Sequence, residues 1–144
     1  MQTNFNESQT KINLMRAFAG ECQSRQRYYQ AALKAQQQKL VGLERMFRFT
    51  AEQEERHAMV FWKLMKDAAG QNIDISAGFP ADVFDEIQQL LDASGKEEDK
   101  EFSVVYPDFA AFTQYVTVAF SFEAVPVAFV RVSDELYVPF SESE

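Results

Sequence analysis

The chain of 144 residues contains a single cysteine, Cys22, and a single histidine, His57. One cysteine excludes an internal disulfide and any CxxC metal knuckle, and it favours a reducing compartment, so we expect a cytoplasmic protein. Basic residues are also scarce, 14 against 22 acidic ones, and the net charge is −8. Because that charge repels both nucleic-acid phosphates and anionic lipid surfaces, neither is expected as a partner.

Long apolar runs are missing as well. The N-terminus is polar and lacks the apolar core of a signal peptide. The most apolar stretch, residues 115–132, is interrupted by Glu123, Pro126 and Arg131. We therefore expect a soluble protein without a membrane-spanning segment. The length suits one domain, which we expect to comprise residues 1–144.

Two long helices are predicted in the first half of the chain. Apolar side chains recur at helical spacing from residue 8 to residue 38, with Ser8 or Thr10 as the N-cap. The same spacing fits residues 40–69 better still, and Gly70 would end that second helix.

A long connection and a third helix are predicted next. The segment QNIDISAGFP, residues 71–80, exceeds what a tight helical hairpin needs, and such a crossover suits a bundle with one long link. The third helix should start near Pro80, with acidic residues in its first turn. Gly95 and Pro107 should weaken it, so we expect a kink or break near Pro107.

The last segment of the chain has no clear helical pattern. Apolar residues alternate over residues 116–124 as in a strand, whereas Pro126 and Pro139 would interrupt a strand ladder. The helical segments therefore predict an all-α four-helix bundle with one long crossover, in which the fourth helix is left open.

Glutamates occupy several core-facing positions of the predicted helices. An ionised carboxylate removed from water is costly unless it is paired or bound to a metal. Glu54 and His57 are three residues apart and are both predicted on the buried face of the second helix, with the Glu-x-x-His spacing of di-iron carboxylate bundles. The predicted metal-binding glutamates on the three helices are Glu21, Glu54, Glu98 and Glu101.

Other interpretations of these residues stay open at this point. A lone histidine beside a glutamate is often only a surface pair. Glu21 and Glu98 could instead be neutralised by nearby cations, with Arg25, Arg27 and Lys96 as candidates. Cys22 is interpreted as a small core residue rather than as a metal ligand.

Three segments of the chain resemble a known family. The sequences AFAGECQSRQRY (residues 17–28) and FRFTAEQEERHAMVFW (47–62) closely resemble the first two helices of the ferritin-like di-iron domain of rubrerythrins. The sequence EEDKEFSVVYPDFA (97–110) resembles that family's third-helix ligand segment, with two glutamates three apart before Tyr-Pro-(Glu or Asp)-Phe-Ala. The likeness covers residues 10–110, and it implies that the all-α four-helix bundle is ferritin-like.

The resemblance implies a role for each matching residue. Glu21 corresponds to the first-helix ligand, Glu54 and His57 to the second-helix pair, and Glu98 with Glu101 to the third-helix ligands. Tyr28 and Tyr106 correspond to tyrosines that surround the ligands. We take Glu54, as the bridge between two ions, and Tyr28 as the candidate catalytic residues.

The sequence departs from the family after residue 110. The family's fourth helix carries a second Glu-x-x-His, but Phe129 and Val132 stand at those positions here. Glu135 is retained as a candidate displaced ligand, and Glu123 is the other candidate. A site that lacks one glutamate and one histidine should hold one of its two ions less firmly.

The implied function is that of a non-haem iron peroxidase. Two iron ions are expected as cofactor, hydrogen peroxide as the small substrate, and a rubredoxin-type protein as the external electron donor. A homodimer is expected too, since it would cover the aromatic residues between positions 115 and 140. The alternative is a non-catalytic bundle, either metal-binding with an incomplete site or purely structural.

Overall fold

The computed structural model describes residues 5–105 and the backbone of residues 131–132 and 135–136. Three α-helices dominate the described part, and they confirm the predicted all-α, ferritin-like fold class: α1 (Gln9–Gln37), α2 (Val41–Leu64) and α3 (Ile87–Lys100). Shorter helical turns stand beside them at Phe5–Glu7, Lys66–Ala68 and Glu101–Val105, the last with π-helical hydrogen bonding. Within the described chain, no helix is long and apolar enough to cross a membrane.

Helix α1 begins at the predicted cap. Ser8 has extended backbone angles, and its hydroxyl oxygen accepts a hydrogen bond from the Lys11 backbone N–H at 3.3 Å. Thr10 lies inside the first turn. At the other end, Lys39 has a φ of 60°, and the Leu40 N–H donates to the Ala35 carbonyl at 2.9 Å. This tight turn folds α2 back against α1.

The interface between α1 and α2 contains two apolar clusters. The first is built around Phe47, which is fully buried and stacks on Tyr28 with ring centroids 6.4 Å apart. Its alanines are small enough to let the helix backbones approach closely. The second cluster consists of Leu14, Ala17, Phe61 and Met65. Along both helices, the positions between the two clusters are taken by buried polar residues, including Glu21 and Glu54.

The connection between α2 and α3 is held on α1 by polar contacts. Gln23 Nε2 donates to the Pro80 carbonyl at 3.1 Å, Arg27 Nη1 lies 2.6 Å from Asp82, and Lys34 Nζ lies 2.9 Å from Asp85. The prediction that the third helix starts near Pro80 is therefore wrong. The acidic residues attributed to its first turn pair with cations of α1 instead, and the helix begins only at Ile87.

Helix α3 continues through Gly95 without a break. Its hydrogen bonding changes only at Glu101, where the π-helical turn begins. The break expected near Pro107, the alternating residues 116–124 and any fourth helix lie outside the described residues. Two strands of two residues, β1 (Arg131–Val132) and β2 (Glu135–Leu136), pair antiparallel with Arg131 opposite Leu136.

Candidate metal centre

Three of the predicted ligands converge in the polar layer between the two apolar clusters. Glu21 reaches this layer from α1, and Glu54 with His57 from α2. His57 Nδ1 lies 3.4 Å from Glu21 Oε2 and 3.8 Å from Glu54 Oε2. One ligand atom from each residue can be chosen so that all lie within 4.8 Å of one another. We call these residues the Glu21–Glu54–His57 group.

Burial within this group is unequal. The side chains of Glu21 and Glu54 are 2% and 4% exposed, whereas that of His57 is 46% exposed. The prediction that His57 lies on the buried face is therefore wrong in part. Three residues turn an α-helix by about 300°, so His57 is offset from Glu54 by about 60° toward solvent. Its imidazole nevertheless remains close to both carboxylates.

Glu98 and Glu101 lie beside the group, and both are half-buried. Glu98 is on α3, where its Oε1 accepts a hydrogen bond from the Tyr28 hydroxyl. Glu101 begins the π-helical turn. Neither belongs to the tight Glu21–Glu54–His57 group, but both are near enough to act electrostatically on its members. Tyr28 thus links the α1–α2 core to a predicted ligand of the third helix.

Burial makes this concentration of acids unfavourable. Desolvation, opposed by the nearby imidazole and reinforced by Glu21, raises the pKa of Glu54 to about 7. Desolvation together with the charges of Glu54 and Glu98 raises the pKa of Glu101 to about 8, and desolvation also raises the pKa of Glu98. Burial thus disfavours the charged form of these carboxyl groups, and a cation placed among them would offset this.

The imidazole and the phenol respond to the same acids. The nearby carboxylates of Glu21 and Glu54 favour the protonated imidazole and raise the pKa of His57 to about 10. Burial, reinforced by Glu98, raises the pKa of Tyr28 far above its ordinary value, so its hydroxyl keeps its proton.

The two arginines considered as alternative partners of Glu21 and Glu98 have other contacts, and Lys96 is exposed. Arg25 pairs with the exposed Glu55 at 3.5 Å. Arg27 pairs with Asp82, and it also donates to Gln23 and Ser24. The interpretation of Cys22 as a core residue is wrong, because its side chain is exposed.

The geometry of the group suits a divalent metal ion. Ligand atoms about 2.0–2.2 Å from such an ion lie roughly 3–3.5 Å from each other at ordinary bond angles. The distances from His57 to the two carboxylates are close to this spacing. Glu54 Oε2 is also buried without a hydrogen-bond partner among residues 5–105. A bound cation would compensate that oxygen, so the residues present fit a metal.

The remaining predicted site residues cannot be placed. Tyr106 and Glu123 lie outside the described residues, and for Glu135 the description extends only to the backbone of β2. One neighbour of the site was not predicted from the sequence. Phe79 of the connection lies against Gly20, next to Glu21, but a connection without helical periodicity gives no signal for such a contact.

A helical bundle with buried carboxylates and an imidazole between its helices belongs to the class of carboxylate-rich metal-binding bundles. The comparisons define that class further. Residues 13–125 match the profile of the Rubrerythrin family. Among its relatives, this chain is 36% identical over 104 residues to a rubrerythrin of Clostridium perfringens, and 34% identical over 124 residues to one of Nitratidesulfovibrio vulgaris. The chain belongs to the rubrerythrin family.

These alignments cover most of this chain but less of each relative. They include 72% and 84% of this chain, against 53% and 63% of the respective relatives. The alignment with a rubrerythrin of Porphyromonas gingivalis, 34% identical over 110 residues, includes 76% of this chain and 54% of that relative. The chain thus spans about half to two thirds of the length of these relatives.

Proposed function

We propose that this protein binds two iron ions within the helical bundle and reduces hydrogen peroxide, with electrons from a donor outside the bundle. The observation that carries the proposal is the Glu21–Glu54–His57 group, in which two carboxylates are almost completely buried beside one imidazole. Membership of the rubrerythrin family supports iron as the metal.

The charge of the surrounding residues supports a second ion. Four carboxylates carry a formal charge that two divalent ions would balance: Glu21, Glu54, Glu98 and Glu101. A single ion would leave half of that charge uncompensated in a desolvated site.

Glu54 is the natural bridge between the two ions. It contacts the imidazole on one side, and its charge raises the pKa of Glu101 and Glu98 on the other. Glu21 and His57 would hold one ion, while Glu98 and Glu101 would hold the second. Since His57 is the only histidine of the chain, the second ion would be bound by oxygen atoms alone and therefore less tightly.

The reaction needs two electrons and two protons for each peroxide. Hydrogen peroxide is cleaved at its O–O bond and yields two molecules of water. Bound ferrous ions would supply the two electrons, one each. The buried Tyr28 hydroxyl keeps its proton and fixes one oxygen of Glu98 through its hydrogen bond. In this proposal Tyr28 positions a ligand.

The electron donor and the oligomeric state are parts of the same proposal. One cysteine cannot build a four-cysteine iron site within these 144 residues, so the electrons are proposed to come from a redox protein or domain of the rubredoxin type outside the bundle. The protein is proposed to act as a homodimer. Large apolar side chains exposed on α2, such as Phe49 (54% exposed) and Trp62 (62%), would favour such an association.

The test is anaerobic reconstitution with ferrous iron, followed by metal counting and by measurement of peroxide consumption. Two irons per chain, the second released at lower chelator concentration, and rapid peroxide reduction would support the proposal. Glu54→Ala should lose both iron and turnover, whereas Glu52→Ala, an exposed glutamate two residues earlier on α2, should retain them. One iron or none without turnover would indicate a non-catalytic bundle instead.

A further inference from the structure

A cavity of about 330 Å³ lies beside the proposed metal centre. Its walls come from α1, from residues 76–79 of the connection and from the end of α3. Two of the lining residues, Glu21 and Glu101, are predicted metal ligands, so the cavity extends from the connection to the acids. It has room for several water-sized molecules. We call this space the access cavity.

Phe79 forms one wall of the access cavity. A Cβ atom at Gly20 would lie only 3.8 Å from Phe79 Cε1, so the ring rests on α1 directly before Glu21. The connection is fixed in this place by the hydrogen bond from Gln23 to Pro80 and by the ion pair of Arg27 with Asp82. The ring is therefore positioned by its neighbours although it is 43% exposed.

The polar groups of the walls favour a small neutral molecule with oxygen acceptors. Arg16 lines the cavity, and its Nε is buried without an acceptor among the described residues. Lys100 is also in the wall, 3.7 Å from Glu97. The walls therefore carry both positive and negative side chains, and an ion of either sign would be repelled by some of them. A hydrogen-bonding neutral molecule meets no such repulsion.

We propose that the access cavity is the route by which hydrogen peroxide reaches the metal centre, and that Phe79 limits the size of the hydroperoxide admitted. This inference rests on the proposed function. It gives the connection between α2 and α3 a role that is separate from metal binding. Residues 76–79 would select the substrate without contacting the metal.

The first test narrows the access cavity. Ala77→Trp places a large ring in its exposed wall, and Val83→Trp is the matched control, because Val83 is 93% exposed on the same connection and does not line the cavity. Both variants should bind as much iron as the wild type. The association of nitric oxide with the ferrous protein, followed by stopped-flow absorbance, should become several-fold slower in Ala77→Trp only. Equal rates in the two variants would overturn the route.

The second test enlarges the access cavity. Phe79→Ala removes the ring from Gly20, and Phe84→Ala is the control, since Phe84 is similarly exposed on the same connection but is absent from the walls. Reduction of tert-butyl hydroperoxide to tert-butanol and water consumes the same two electrons and two protons as hydrogen peroxide. The ratio of its rate to that of hydrogen peroxide should rise several-fold in Phe79→Ala only.

The outcomes separate the two proposals. A wild-type chain that takes up no iron would overturn the proposed function together with the role of the access cavity. Normal iron content and peroxide turnover, with the hydroperoxide ratio unchanged in Phe79→Ala, would overturn the size limit alone. Ala77→Trp thus tests the route, and Phe79→Ala tests the size limit.

Discussion

Replacement of Glu54 by glutamine should stabilise the metal-free protein. The substitution keeps the shape of the side chain and removes its charge from a position that is 4% exposed. Each tenfold displacement of an acid equilibrium corresponds to about 1.4 kcal/mol. The rise of the Glu54 pKa from 4.5 to about 7 therefore corresponds to a destabilisation on the order of 2–3 kcal/mol at neutral pH. Glu54→Gln should recover most of it.

The assay is thermal unfolding with a chelator and with excess ferrous iron under anaerobic conditions. For a chain of this size, 1 kcal/mol changes the midpoint by roughly 3–4 °C, so metal-free Glu54→Gln should unfold about 6–10 °C above the metal-free wild type. In excess iron the order should reverse. A ligand at a thousandfold excess over its dissociation constant adds about 4.1 kcal/mol, which exceeds the roughly 2–3 kcal/mol recovered by the substitution, and the variant should lose this gain.

The control is Glu52→Gln, which removes an exposed charge from the same helix. It should unfold within about 2 °C of the wild type under both conditions, because exposed substitutions usually change stability by less than about 0.5 kcal/mol. A metal-free Glu54→Gln protein that is less stable than the wild type would refute the reasoning. Such a result would mean that the carboxylate is already compensated without a metal, and that the acids are structural.

Three further predictions concern other parts of the structure. Tyr28→Phe should leave the more tightly bound iron in place and weaken the other, because Glu98 loses its donor; a ferrous titration followed by chelator competition measures this. Phe47→Ala should cost about 3–5 kcal/mol in urea unfolding, since Phe47 is fully buried, and Phe49→Ala, at an exposed position, should cost much less. The metal-free protein should lose stability between pH 4.5 and 8. Its buried carboxyl groups have raised pKa values, so their contribution is complete below pH 4.5 and is lost as the pH rises through about 7 for Glu54 and 8 for Glu101. Urea unfolding with chelator at pH 5 and pH 8 should show the decrease, and equal stability at the two values would contradict it.

Much of the helical framework could be predicted because it depends on local periodicity. The spacing of apolar residues indicated α1 and α2, and Ser8 was recognisable as a cap because its side chain acts on its own helix. The predicted start of α3 was wrong because it depends on contacts with residues far away in the sequence. Acidic residues after a proline are typical of a helix N-terminus, but Asp82 and Asp85 form ion pairs with a helix more than fifty positions away in sequence.

In the candidate site too, the local features could be predicted from the sequence and the tertiary contacts could not. The spacing of Glu54 and His57 required only that one helix form, whereas their approach to Glu21 followed from the pairing of two apolar faces. The exposure of His57 depends on which neighbours cover α2, and no single helix determines that. Phe79 could not be predicted as a neighbour of Gly20, because only tertiary contacts place the connection there.

The position of the acids explains why stability and metal binding should be coupled. Glu21 and Glu54 lie between two apolar clusters, so the same packing that holds α1 against α2 also removes their carboxylates from water. In the metal-free protein that packing is opposed by the cost of desolvation. A cation between the helices cancels this cost without any change in the apolar contacts, and part of its binding energy therefore becomes folding energy. An exposed ligand set would carry no such desolvation cost, so removing one of its carboxylate charges would not stabilise the metal-free protein. If the buried layer binds metal as proposed, the thermal stability of the protein should therefore rise with metal occupancy.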